Sequence, residues 1–502
     1  MVKFSINEKL DNYSPNYLAT ICRIGELRPI ANADKLKMTT VNGHDIIVSS
    51  DYKEGDVVVY FPCETAISEK YLSANNLYEI GECDRNKNHE HVTFLKEKAR
   101  EANAKGDKEA AEQFMAMAKK DCGFFNKYGR VRILKLRGEY SDGFVAGVES
   151  LVNAFPELKD FNWDDVMDTQ FNSIDDEVLC WKFVPPIREN NHVGKGQGQY
   201  RKLQKKLVRF DRLISEHFHF HFDTIQLKEH MSDLSPDDIV SVSVKIHGTS
   251  TIDAMILCNR KLSWWEKVKK FFGAHVETTE YDLIYSSRKV IKNRYINKDA
   301  HDFYDVDIWG CVARDFGPYI PKGMTVYGEI VGYLEGSNKM IQDQHDYGCL
   351  PGSWKFMPYR ITTEIPDDTT TEVRRKEWNV TDVDAWTREL VKTHPELEPK
   401  VLNLNIVYHG RLGDMYPDID ESNHWHENFL ARLKSDKEWL LMEQDEPMCR
   451  NKVPREGYVF RIDDDKFPRA WKIKSMRHFE FEGKQHDKGK VDIEEAGGVE
   501  LE

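Results

Sequence analysis

The chain has no apolar run approaching the eighteen or so residues of a membrane-spanning helix, so no spanning segment is expected. Its opening residues, MVKFSINEKLDNYS, lack the apolar core of a secretory signal, and a cytoplasmic location is expected. No internal repeat is present, which excludes solenoids and propellers. The nine cysteines are odd in number, and no two stand at CxxC spacing. A clustered zinc site and a disulfide framework are thereby disfavoured, and reduced thiols are expected. Positive charge is in deficit: 71 Lys and Arg against 85 Asp and Glu leave a net −14. That argues against a protein that coats nucleic acid over its whole surface, but leaves room for a local basic groove.

At roughly 150 residues per domain, 502 residues suggest about three domains, or two with insertions. Charged residues at 31% and aromatics at 11% fit a folded enzyme better than a disordered chain. Residues 18–27, 36–41, 44–49 and 56–61 are short and rich in β-branched residues. Turn signals such as Asn42-Gly43 and Glu54-Gly55 separate them, so strands are expected. Residues 90–120 are dense in Ala, Lys and Glu, with Gly106-Asp107 as a break, and predict a helical insertion. Strands resume at 130–136, and 137–143 forms a turn. The whole suits a small β-barrel of the OB type over residues 1–185. Residues 186–206 read as a basic, Gly- and Gln-rich linker, whose cations suit a solvated helix face better than a phosphate patch. Residues 207–482 mix strands and helices without βαβ alternation, which predicts an α+β catalytic domain. Residues 483–502 are expected to be a disordered acidic tail.

Residues 238–244 (DIVSVSV) form a strand pattern that runs into Lys245-Ile246-His247-Gly248-Thr249-Ser250, with a second strand at 251–257. A lysine at a strand end beside a glycine turn can serve as a nucleophile, provided its amine sheds a proton. Three further strings accompany it. Residues 325–332 (TVYGEIVG) carry Glu329, residues 456–462 (EGYVFRI) open on Glu456, and residues 470–475 (AWKIKS) carry Lys472 and Lys474. Two residues apart on a strand, those lysines share a face. A nucleophilic lysine, two carboxylates and a lysine pair suit an anionic phosphate held with a hard divalent cation.

In this order the strings resemble motifs I, III, IV and V of the covalent nucleotidyltransferases: DNA ligases, RNA ligases and messenger-RNA capping enzymes. KxHGT in place of KxDG resembles the nick-sealing phage RNA ligases. Ser286-Ser287-Arg288 falls where motif Ia is expected, and residues 355–361 (KFMPYRI) resemble motif IIIa. Val244 replaces a frequent glutamate, and His247 replaces the aspartate of DNA ligases. The barrel-like segment precedes the catalytic segment, whereas DNA ligases and capping enzymes place it after motif V; this order favours RNA ligase.

The resemblance implies a catalytic domain of antiparallel sheets with flanking helices behind an OB-like domain. It implies that Lys245 takes AMP from ATP as a covalent lysyl-AMP, with Mg2+ or Mn2+, and passes it to a 5′-phosphate. A 3′-hydroxyl on RNA then displaces AMP. Lys472 and Lys474 would hold the α-phosphate. Glu456 would position the metal directly or through waters, and Glu329 would bind the ribose or support the metal. Arg288 would contact the sugar–phosphate, Tyr359 (rather than Phe356) would stack on adenine, and His247, Gly248 and Thr249 would shape the pocket. The implied partner is RNA with 3′-OH and 5′-phosphate ends, such as a nicked duplex, in RNA repair; a monomer without a membrane partner is expected. The alternatives are a catalytically degenerate RNA-binding protein and a capping-type guanylyltransferase. His217, His219 and His221 would share one face of a strand, which suits either a three-histidine zinc site or a row of rings beside the nucleotide pocket; the latter is expected.

Overall fold

The computed structural model describes residues 3–10, 13–185, 212–288, 290–292, 306–365, 373–464 and 468–487. The expected basic linker and the acidic end beyond 487 lie outside the described residues. The chain divides into two compact units, Met1–Val184 and Pro185–Glu502.

In the first unit, strands Phe144–Gly147, Val57–Phe61, Ala19–Arg23 and Gln170–Phe171 pair antiparallel in that order. Period-two alternation splits the side chains of Val57–Phe61 between two cores. Val59 and Phe61 join one cluster with Ile21 and Leu151, and Val58 and Tyr60 join another with Ile24 and Ile46. The strand Val57–Phe61 is thus covered on both faces. The hairpin Ala33–Val41/His44–Ser49 turns at Asn42 (φ 48°) and Gly43 (φ 78°), the two left-handed residues of a tight hairpin turn. Residues 89–120 form two helices, His89–Ala104 and Lys108–Lys120. They part at Gly106 (φ 81°), and Asp107 caps the second by accepting from the Ala110 amide at 3.0 Å.

The second unit holds two sheets. One has five strands in the order Ile225–Gln226, Arg469–Lys474, Gly457–Ile462, Ile239–Lys245 and Ile406–Arg411, antiparallel except for the first pair. The other has six antiparallel strands in the order Ile291–Lys292, Thr279–Ser286, Thr249–Asn259, Met324–Gly332, Trp354–Ile365 and Arg374–Glu377. The protein is therefore α+β, built on antiparallel sheets. Val240, Val242, Val244, Ile246, Tyr458, Phe460 and Ile473 of the first sheet region share a core with Val331 and Met357 of the second. Residues 246–248 carry the chain from one sheet into the other.

Two expectations are corrected. The final helix, Met476–Asp487, runs through residues 483–487, which were expected to be disordered; His478, Gly483 and Gln485 are buried there. Residues 217–221 are not a strand. Ser215–His217 is a short 3-10 helix and the residues after it pair with no strand. His217 bonds Glu364 at 2.6 Å, His219 is exposed, and His221 packs against Tyr327 and Tyr359, so the three rings do not converge.

Candidate active site

The strand Ile239–Lys245 buries its valines and delivers Lys245 at its end, opposite Gly457. Gly457 also faces Lys474, so the nucleophile candidate and the second motif lysine flank one glycine. Gly457 has φ 152°, and a Cβ there would lie 2.0 Å from the Ile473 carbonyl oxygen. Only glycine fits, and Glu456 immediately before it is turned inward. Glu456 is 2% exposed, and its Oε1 accepts both Lys245 Nζ at 2.9 Å and Lys474 Nζ at 3.0 Å. Burial opposes its charge, but the two ammonium groups hold its carboxyl well below the usual range.

Lys474 also reaches Glu482 Oε1 at 3.3 Å, and His478 Nε2 lies 3.1 Å from the same oxygen. Burial is again opposed by Lys474 and His478, so the Glu482 carboxyl stays ionised. His247, one residue before the tight turn, brings Nδ1 to 3.9 Å from Glu456 Oε2 and packs edge-on against His345 and His478. Its backbone amide donates to the Tyr347 hydroxyl at 2.6 Å. Gly248 accepts from Gln342 Nε2 through its carbonyl at 2.8 Å, and a Cβ there would meet the Ile330 carbonyl at 2.3 Å. Thr249 is buried and opens the second sheet opposite Ile330. Glu329 pairs in register with Ser250, whose hydroxyl donates to it at 3.3 Å.

Lys472 is partly buried on the same face as Lys474. Burial, with Lys474, Arg288 and Lys245 nearby, lowers its pKa to about 7. Arg288 forms an ion pair with Asp223. Tyr359 sits at a bulge: Tyr327 pairs Arg360 and Gly328 pairs Pro358, which leaves Tyr359 as the extra residue. Phe356 is fully buried against Phe316, whereas Tyr359 is only partly buried and packs edge-on against His221. Burial, with Arg360 and Arg288, keeps the neighbouring His221 neutral.

His247, Glu456, His478 and Glu482 bring one ligand atom each to within 4.8 Å of one another. Glu456 Oε2 and His478 Nδ1 are buried without a hydrogen-bond partner. Orphaned buried groups of this kind suit a cation. The carboxylates suit a hard divalent ion, and the imidazoles favour Mn2+ over Mg2+. Glu329 is not in this set.

The structure places Lys245, Lys474, Glu456 and His247 beside one another, and sets His345, Tyr347, His478 and Glu482, which the sequence strings do not single out, next to them. His478 and Glu482 stand four apart, the spacing of one helix face, which was the signal available.

The family described as an OB-fold domain matches residues 18–94, so the first unit contains such a domain. No curated protein matches the sequence. A variant of Naegleria gruberi RNA ligase with AMP and Mn is similar at TM-score 0.49 and 18% identity, over 93% of this chain and 98% of that one. A second variant, with ATP and Mn, is similar at TM-score 0.46 and 17% identity, over 92% of this chain and 98% of that one. The same ligase with PPi gives TM-score 0.46 and 18% identity, over 93% and 98%.

Proposed function

We propose that the protein is an ATP-dependent RNA ligase that joins 3′-OH and 5′-phosphate ends. The observation that carries this reading is Lys245 at a strand end, held at 2.9 Å by a buried glutamate that also binds Lys474 at 3.0 Å. A strand-end amine among fixed cations and carboxylates is arranged for in-line transfer of a nucleotidyl group.

In the first step Lys245 Nζ attacks the α-phosphorus of ATP. The P–N bond forms, the bond to the β-phosphate oxygen breaks, and pyrophosphate leaves. Lys245, 26% exposed, must first leave its ion pair with Glu456 and give its proton to solvent, because Glu456, held well below the usual carboxylate range, is too weak a base to take it. Lys472 and Lys474 present positive charge to the α-phosphate, and Arg288 supports them from the adjoining sheet. Tyr359, displaced by its bulge, supplies a ring for the adenine. In the second step a 5′-phosphate oxygen of RNA attacks the AMP phosphorus and Lys245 leaves. In the third a 3′-hydroxyl attacks the activated 5′-phosphate, AMP leaves, and the phosphodiester forms. His247, Glu456, His478 and Glu482 would hold a divalent cation, Mg2+ or Mn2+, which neutralises phosphate charge when bound. RNA repair at a nicked duplex is the role this sequence of steps serves.

The test is incubation with α-labelled ATP and manganese, without RNA, beside Lys245→Ala. Label on the wild type alone is expected. Absence of label from protein first stripped with pyrophosphate would redirect the reading to GTP. Failure with GTP as well would leave an RNA-binding protein that has lost its chemistry.

A further inference from the structure

The large apolar side chains most exposed to solvent among the described residues include Phe271 (84%), Phe272 (78%), Trp265 (67%) and Trp264 (65%). All four lie on or directly after one helix, Trp264–Phe271, and none joins a hydrophobic core cluster. The helix is well made. Ser263 and Glu266 form a reciprocal cap, and Arg260 bonds Glu266 at 2.5 Å, which engages the helix's one acid. At 3.6 residues per turn, Trp264, Trp265, Val268, Phe271 and Phe272 fall within an arc of about 120°. Lys267, Lys269 and Lys270 take the remaining circumference. Residues 260–272 carry five cations and one acid in a chain of net −14.

We infer that this helix docks the protein reversibly on an anionic lipid surface, lying in the interface with its aromatic face down. Segregation of rings from lysines decides the partner. Single-stranded nucleic acid is held by aromatics and cations interleaved on one face, whereas here the rings form one unbroken arc, with Lys267 and Lys269 at its two borders and Lys270 behind it. A second copy packed two-fold on this face would bring the lysine rims of both chains together. An anionic interface accepts both halves: indole and phenyl rings enter the headgroup boundary while flanking lysines meet phosphate. The remaining surface of an acidic chain is repelled by such a membrane, which fixes the orientation. No helix among the described residues can cross a membrane, and docking of this kind needs none.

The helix caps the far end of the hairpin that begins at Thr249, beyond the pair Asn259 and Thr279. Ten residues of strand at about 3.3 Å each place it roughly 30 Å along the sheet from the candidate active site. Docking there leaves the site open, and the inference stands whether or not the ligase reading does.

The test is sedimentation of the full chain with vesicles of phosphatidylcholine, with and without phosphatidylglycerol. Binding to the anionic vesicles alone is expected, with a blue shift of tryptophan emission. Combined Trp264→Ser, Trp265→Ser, Phe271→Ser and Phe272→Ser should weaken it at least about tenfold with an unchanged melting temperature, since all four rings are largely exposed and join no core cluster. Combined Lys267→Glu, Lys269→Glu and Lys270→Glu should remove the anionic preference. Equal vesicle binding by wild type and the serine variant would overturn the inference. So would no vesicle binding, whether the serine variant then loses affinity for nicked RNA, loses self-association, or changes nothing.

Discussion

Each unit buries a glutamate against cations, and the two burials differ in what is left over. In the first unit Glu64 accepts Arg130 Nε at 2.9 Å and Nη2 at 2.6 Å, with both side chains under a tenth exposed. The two planar groups meet edge to edge, a bidentate pair that ties the turn before strand Thr65–Ile67 to Arg130. In the second unit Glu456 is as deeply buried, but one oxygen is shared by Lys245 and Lys474 and the other accepts no hydrogen bond, with His247 Nδ1 3.9 Å away. Lys245 keeps 26% of its side chain in contact with solvent. A buried charge with capacity left over, facing a reachable amine, is where chemistry can enter. A buried acid of a third kind stands on the strand after Lys245. Asp253 is fully buried, accepts only from Thr251 Oγ1 at 3.1 Å, and is pushed by burial to about 8, so it stays protonated at neutral pH.

The comparison can be broken by substitution. The largest effect expected is from Lys245→Ala, which should abolish covalent labelling by ATP while the melting temperature moves little. Glu64→Ala should do the reverse. It strands the Arg130 guanidinium and should lower unfolding free energy by about 3–5 kcal/mol in denaturant, with labelling per folded molecule unchanged. Glu456→Gln should slow labelling by about 10²–10³-fold in single-turnover assays, with a smaller stability loss than Glu64→Ala because Lys245 and Lys474 still reach water. Lys472, charged below about pH 7 and neutral above, should make ATP binding weaken as pH rises from 6.5 to 8.5, by up to about tenfold in Kd. Lys472→Arg should flatten that profile. The last effect concerns Asp253. Its folded pKa lies above the unfolded value, so the folded state binds more protons between about pH 4 and 8, and stability falls as pH rises through that window. Asp253→Asn should remove that slope, about 1.4 kcal/mol per pH unit, in denaturant unfolding at pH 6 and 7.

Legibility in the sequence followed from periodicity. The strands at Lys245, Glu329 and Glu456 were legible because apolar alternation and long apolar runs mark buried strands, and Asn42-Gly43 marks a hairpin by its backbone demands alone. His345 and Tyr347 were not, because they sit in an irregular stretch between Gly332 and Trp354 where no period exists. The last turn of the final helix, residues 483–487, carries the polar, charged composition of a disordered tail. The helix is buried in part because its polar groups face other polar groups at the site, a partner that local composition does not reveal. Residues 217–221 misled in the opposite direction. Alternating rings gave extended backbone, but a strand also needs a neighbouring edge to bond to, and here none is offered.

The three-residue crossing at 246–248 has a mechanical consequence. The lysine belongs to one sheet and Glu329 to the other, with Val244 and Ile246 packed against Val331 and Met357 between them. A slide of one sheet over the other by a single ångström would shift Lys245 relative to Glu329 and strain the Arg461–Glu377 ion pair that links the sheets at 3.5 Å. Heat-sensitive alleles that fold at low temperature but lose activity first on warming should therefore cluster among these four apolar residues.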